Sequence, residues 1–181
     1  MKTTKKLVLT AMMVSLAVTI DLIMKMIPIL DMPSGGSFNL NMLPLFFLAF
    51  IVGPVYGIIG GVAFGLLNFF LDGYGFSWAS IFLDYTIAFG VIGIAGFFKS
   101  ALKGNYIAFV GSIILCAFLR FLSSTASGIL MYVDELGFKE ALVLSAEYNG
   151  WYMLASTAGV IAIGLLVYKP VSKYAKANYL K

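Results

Sequence analysis

The feature that most constrains this chain is a succession of apolar stretches of bilayer-crossing length, with most of the charge gathered in the short segments between them. A transmembrane helix needs roughly 20 apolar residues. Windows bounded by charges and by Gly or Pro breaks predict six spans: about Leu7 to Ile27, Leu40 to Val52, Pro54 to Leu71, Ser77 to Phe98, Asn105 to Met131 and Tyr148 to Tyr168. Composition agrees, at 61% hydrophobic and 11% charged, where soluble domains carry about 25% charged residues. The expected fold is a single all-α integral membrane domain over residues 1–181. The second span is short and meets the third at Gly53-Pro54, where proline offers no N–H and disfavours helix for its predecessor. The opening Met-Lys-Thr-Thr-Lys-Lys before an apolar run resembles a secretory signal. No small-x-small cleavage site follows it, and retention as the first span is expected.

Lys2, Lys5, Lys6, Lys99, Lys103, Lys169, Lys173, Lys176 and Lys181 fall at the two ends and between spans four and five. With six spans these segments share one side, which the positive-inside rule makes the cytoplasm. Asp21, Asp31, Asp72, Asp84, Asp134, Glu135, Glu140 and Glu147 then fall in outer loops or outer halves of spans, giving an acidic outward face.

Gly53, Gly57, Gly61 and Gly65 recur every four residues on the third span and predict close helix packing. Ala11, Ser15 and Thr19 form a second small-residue stripe on the cytoplasmic half of the first span, a smooth face for a partner subunit.

Charge near the centre of a span costs roughly 2.5 to 3.5 kcal/mol and marks function by default. Asp84, followed by Tyr85, is the leading candidate. Arg120, mid-way along span five, reads as a structural ion pair, a carbonyl cap or a ligand contact. Asp21, with Lys25 one turn later, reads as an i, i+4 pair. Aromatics gather at the outer end: Phe38, Tyr74, Phe76, Trp78, Tyr132, Tyr148, Trp151 and Tyr152. With Asp84, Glu147 and Asn149 they are expected to form a pocket that stacks a flat cationic ring and bonds its edge. Tyr168, Tyr174 and Tyr179 beside lysines read as an interfacial belt.

The chain has no histidine and one cysteine, Cys116, which excludes imidazole metal sites, Ser-His and Cys-His nucleophiles and disulfides. Thr125-Ala126-Ser127-Gly128 therefore lacks the base an intramembrane serine protease needs. There is no G-x-x-x-x-G-K-[ST] phosphate loop, so uphill movement of a solute would need energy from another subunit. An enzyme is not expected, nor are a metal, a cofactor or a nucleic-acid partner. A channel or structural membrane subunit is the alternative class.

Several pieces in order resemble the substrate-binding S components of energy-coupling factor transporters, and among them the thiamine-specific branch. They are Gly35-Gly36-Ser37-Phe38-Asn39-Leu40-Asn41-Met42-Leu43-Pro44, the glycine-spaced third span, Leu83-Asp84-Tyr85-Thr86-Ile87-Ala88-Phe89-Gly90 with Gly93 and Gly96, Arg120 with Ser127-Gly128, and Tyr148-Asn149-Gly150-Trp151-Tyr152-Met153-Leu154. The resemblance implies six helices in the cell membrane, both termini cytoplasmic, a vitamin pocket roofed by the loop between spans one and two, and docking of the span-one stripe on a transmembrane coupling subunit that carries two cytoplasmic ATPases. It makes Asp84 the carboxylate that pairs with an aminopyrimidine edge, Tyr85 its neighbour, Gly128 a close-approach glycine and Asn149 a polar contact. The chain departs from that pattern at Ser124, where a histidine is usual, at Tyr132 for a tryptophan or phenylalanine, at Leu144 for a tyrosine, and at Glu147, an added acid. Thiamine or a related pyrimidine is the expected ligand, and pyridoxine or hydroxymethylpyrimidine the alternative.

Overall fold

The computed structural model describes residues 2–27, 32, 36–72, 77–98 and 100–179. Asp31, Gly35, Tyr74, Phe76, Lys99 and Lys181 from the sequence reading lie outside the described residues, as does the side chain of Asp72. Among the described residues the elements are all helical. They are α1 (Thr3–Lys25), α2 (Met42–Val52), α3 (Pro54–Asp72), α4 (Trp78–Phe97), α5 (Tyr106–Leu136) and α6 (Phe138–Asn178).

All but α2 are long and apolar enough to cross a membrane. At 1.5 Å per residue the 11 residues of α2 extend only about 16 Å, half of a hydrocarbon core. Its burial explains its composition. Every residue from Met42 to Ile51 is buried, so α2 is apolar all round, as a helix enclosed by its neighbours must be. Phe46 and Phe50 stack along it, and Phe50 meets Phe109 of α5 at 5.3 Å.

The glycine spacing on α3 does two different jobs. Gly53 has φ +109° and makes the break between α2 and α3, and its backbone is approached closely by Gly96 of α4. Gly61 and Gly65 pack: a Cβ on either would run into the backbone carbonyl of Phe89 or of Tyr85. In lipid, where no hydrophobic force pulls helices together, such backbone contact is the main adhesion available. It seats α4 against α3 and fixes the height of Asp84.

Helix α4 changes pitch along its length. Ile81–Ile87 is π-helical, Ala88–Gly90 is α-helical and Val91–Phe97 is 3₁₀. The wide π turn, where the Thr86 hydroxyl donates to the Ile81 carbonyl at 2.9 Å, carries Asp84 and Tyr85. Such turns are frequent at functional sites.

Helix α6 has 41 residues, twice the length expected for the sixth span. Hydropathy detects the membrane-length apolar part, whereas the helix continues through polar flanks that keep one buried face. Ala141 and Ser145 lie on it before the apolar run, and Ser172 and Ala175 after Pro170. Tyr168 is not an interfacial belt residue. It is 2% exposed, its hydroxyl donates to the Ala101 carbonyl at 2.6 Å and accepts from Gly104 N–H at 3.0 Å, and Ser172 donates to Leu102 at 2.6 Å. The far half of α6 therefore ties down the α4–α5 connection. Tyr174 is exposed, and the Tyr179 ring lies 5.0 Å from the Lys5 ammonium.

Candidate functional site

The helices enclose a cavity of about 240 Å³. Two of them, α5 and α6, contribute periodic faces. On α5 the buried or inward positions Ser112, Cys116, Arg120, Ser123, Ser124 and Ser127 recur at helical spacing, and on α6 Ser145, Asn149, Tyr152 and Ser156 do the same. Toward the cavity these stripes are rich in hydroxyls; deeper in the bundle the stripe of α5 becomes apolar.

Asp84 lines one wall, and the Ser127 hydroxyl donates to its Oδ2 at 2.5 Å. Ser80 and Ser127 are 3.3 Å apart, and the Ser123 hydroxyl donates to the Leu83 carbonyl at 2.6 Å, pinning the π turn to α5. Arg120 lines the cavity beneath. Its guanidinium lies 4.2 Å from the Phe89 ring centroid and donates from Nη1 to the Met42 sulfur at 2.9 Å, while its buried Nε has no hydrogen-bond partner. Arg120 forms no ion pair among the described residues, and neither does Asp84. Of the roles the sequence left open for Arg120, the ion pair and the carbonyl cap are absent.

On the opposite wall Asp21, 2% exposed, is the hub of a polar cluster. Its Oδ1 accepts from Asn39 Nδ2 at 2.7 Å and Asn41 Nδ2 at 2.6 Å; its Oδ2 accepts from Asn68 Nδ2 at 2.7 Å and Lys25 at 2.5 Å. The expected pair with Lys25 is present but is one contact of four. The third wall is α6: Tyr148 accepts from Gly36 N–H at 2.8 Å, Ser156 accepts from Asn39 N–H at 3.0 Å, and Tyr152 donates to Asn149 at 2.8 Å.

Eight of the expected pocket residues line this cavity: Asp84, Tyr85, Ser124, Gly128, Tyr132, Tyr148, Asn149 and Tyr152. Gly128 is tight, since a Cβ there would meet the Cβ of Ser145 at 2.9 Å. Leu144 lines it too. Three candidates do not. Glu147 is exposed, Trp151 is 73% exposed, and Phe38 packs its ring against Gly159. The reason lies in the helical period of α6. In a helix already running from Phe138, residues 147 and 151 fall on the face opposite 145, 149, 152 and 156. Trp78 is likewise 75% exposed, so neither tryptophan stacks in the cavity. The missed residues are Asp21, Asn39, Asn41, Asn68, Ser80, Ser127 and Ser156. Asn68 within an apolar span was the available signal; the rest become neighbours only through the fold.

The family model for the thiamine transporter protein (Thia_YuaJ) matches residues 7–176. The chain belongs to the thiamine transporter protein family. Among curated proteins it is 29% identical to the thiamine transporter ThiT of Bacillus subtilis (strain 168) over 162 residues, 83% of each chain. Among solved structures it resembles ThiT from Listeria monocytogenes, with a TM-score of 0.77 at 23% identity, over 94% of this chain and 96% of that one. That likeness is one of fold. A member of this transporter family with several membrane-length apolar helices is a membrane protein with a transport role, not an enzyme.

Proposed function

We propose that the chain is the thiamine-binding S component of an energy-coupling factor importer, and that the cavity between α1, α3, α4, α5 and α6 is where the vitamin sits. The observation that carries this reading is the pairing, in one cavity enclosed by membrane-length helices, of an Asp84 carboxylate held by Ser127 with an Arg120 that has no ion-pair partner among the described residues. Charged groups enclosed by membrane-length helices are costly and mark ligand paths. Asp84 would take the aminopyrimidine edge of thiamine, with Tyr85 beside it; Arg120 would face an acceptor group. Tyr132 and Tyr148 would flank the rings, and Ser124, Asn149 and the space left by Gly128 would complete the fit. Glu147, Trp151 and Phe38 have no place in this site.

Six spans in the plasma membrane with both termini in the cytoplasm accord with the sorting of lysines to the ends and the α4–α5 connection. The chain carries no phosphate loop, so ATP hydrolysis falls to partners. On α1, Ala11, Ser15 and Thr19 are exposed on the face opposite buried Thr10, Val14, Ala17 and Asp21. That stripe is the proposed docking face for a transmembrane coupling subunit bearing two ATPases. A Ser15→Trp variant should lose co-purification of the coupling subunit; full retention would remove α1 from the interface.

Calorimetric titration of the purified protein in detergent with thiamine, hydroxymethylpyrimidine, pyridoxine and riboflavin tests the ligand. Saturable binding of thiamine is expected. Heat only from the smaller rings would mean that Ser124 and Leu144, both on the cavity wall, have shifted the specificity. Silence from all would leave a structural or channel subunit.

A further inference from the structure

Among the described residues that line the cavity, only Gly36, Ser37, Asn39 and Asn41 stand outside the six helices. The helical walls are held by side-chain and backbone packing along their whole length. This segment packs Phe38 and Leu40 against Gly159 of α6, and its polar groups are held by hydrogen bonds at its two edges. On the α6 side its backbone donates from Gly36 to Tyr148 and from Asn39 to Ser156. On the α1 side the Asn39 and Asn41 amides both converge on one oxygen of Asp21. Asn39 also accepts the Asn41 backbone N–H at 2.9 Å, so the two amides are fixed relative to each other as the chain turns into α2.

Asp21 itself is not arranged to hold a ligand. Two donors on each oxygen use the capacity of a carboxylate, which has about four lone-pair sites. Its second oxygen is occupied by Asn68 of α3 and Lys25 of α1, which anchor the carboxylate to the helical frame. The first oxygen is thereby presented to the loop segment. Bonds to an ionised acceptor are stronger than neutral ones, so among the polar contacts those at the α1 edge are the firm ones, and the two neutral hydroxyl acceptors at the α6 edge are the weaker.

We propose that Asp21 is a positioning residue that latches the Gly36–Asn41 segment against the cavity, setting how fast a ligand enters and leaves without touching it. The proposal rests on reading the cavity as the ligand site. It assigns to Asp21 a kinetic role: removing the latch accelerates both entry and departure and changes equilibrium affinity less than either rate.

Hydrogen exchange of the Gly36, Asn39 and Asn41 amides in ligand-free protein, compared between wild type and Asp21→Ala, tests the latch without any ligand. Exchange about tenfold faster is expected, the effect of losing a charge-assisted bond. A chase of radiolabelled thiamine then reads the rates. Asp21→Ala should raise association and dissociation each by about tenfold, and Asp21→Asn, which keeps one oxygen for the loop amides, should fall between. Should Asp21→Ala fail to fold, Asn41→Ala removes one loop amide from the latch and should still speed exchange and both rates by several-fold. Unchanged exchange in the variants overturns the proposal, as does a reduced number of binding sites with unaltered rates, the signature of a merely structural residue. If wild type binds no thiamine, the ligand assignment fails, and the exchange comparison still decides the latch.

Discussion

Asp21 and Asp84 are two carboxylates on facing walls of the same cavity, and they are held in different ways. Asp21 is saturated by three amides and an ammonium drawn from α1, α3 and the loop segment, and its charge is neutralised by the only ion pair among the described residues. Asp84 is held by a serine hydroxyl on a wide turn of helix and shares the cavity with Arg120, neither of them in an ion pair among the described residues. A buried carboxylate with its charge satisfied belongs to the framework. One left with charge to spare, facing a cavity, belongs to the ligand. Asp21 is buried and Asp84 half-buried, and the donor set around each assigns its role.

This contrast predicts crossed effects. The largest is on binding: Asp84→Asn should weaken thiamine by roughly 100-fold, as expected when a charge-assisted contact is lost in a desolvated site, while the melting temperature is held or raised. Calorimetry is the appropriate readout, because Trp78 and Trp151 both face away from the cavity and would report a ligand weakly. Next comes stability: Asp21→Ala leaves three amides and a lysine converging on nothing, and should cost about 3 kcal/mol, in the range for breaking a buried ion pair. Thermal unfolding in detergent checks it, with Asp84→Asn as the counterpart that should not fall. If the two variants lose stability equally, the distinction between framework and ligand carboxylates is broken.

A smaller effect sharpens the geometry. Gly128→Ala would place a methyl group against Ser145, narrowing the cavity without removing charge, and should weaken binding about tenfold and cost about 1 to 3 kcal/mol of stability. The smallest is expected on the far face of α6, where Trp151→Phe and Glu147→Gln should leave affinity within about twofold of wild type, since neither side chain lines the cavity. A tenfold loss in either would mean that α6 is rotated relative to the arrangement described.

Much of the bundle was legible because lipid imposes a simple rule: long apolar runs become helices with internal hydrogen bonds. The five long helices and the break at Gly53-Pro54 followed from it. Charge in an apolar run was equally legible, which is how Asp84 and Arg120 stood out. Asp21 was visible as a charge but not as a hub, because Asn39, Asn41 and Asn68 reach it across 18, 20 and 47 positions of sequence, and no periodicity encodes such a meeting. Trp151 and Glu147 were drawn into the expected pocket by assuming that α6 opens at Tyr148. The helix begins ten residues earlier, at Phe138, so Glu147 is helical too, and the 3.6-residue period puts both on the face opposite Ser145, Asn149 and Ser156. Tyr168 misled in the same way: beside Lys169 it reads as interface, yet its hydroxyl is spent on the α4–α5 connection.

The most direct test of the account is a paired calorimetric titration of thiamine into wild type and Asp84→Asn at matched protein concentration and detergent, with the melting temperature of each recorded alongside. The account predicts one saturable site in wild type, loss of that site in Asp84→Asn, and melting of the variant no lower than wild type. Equal affinity in the two proteins, or loss of binding accompanied by a fall in melting, would contradict the assignment of Asp84 as the carboxylate reserved for the ligand.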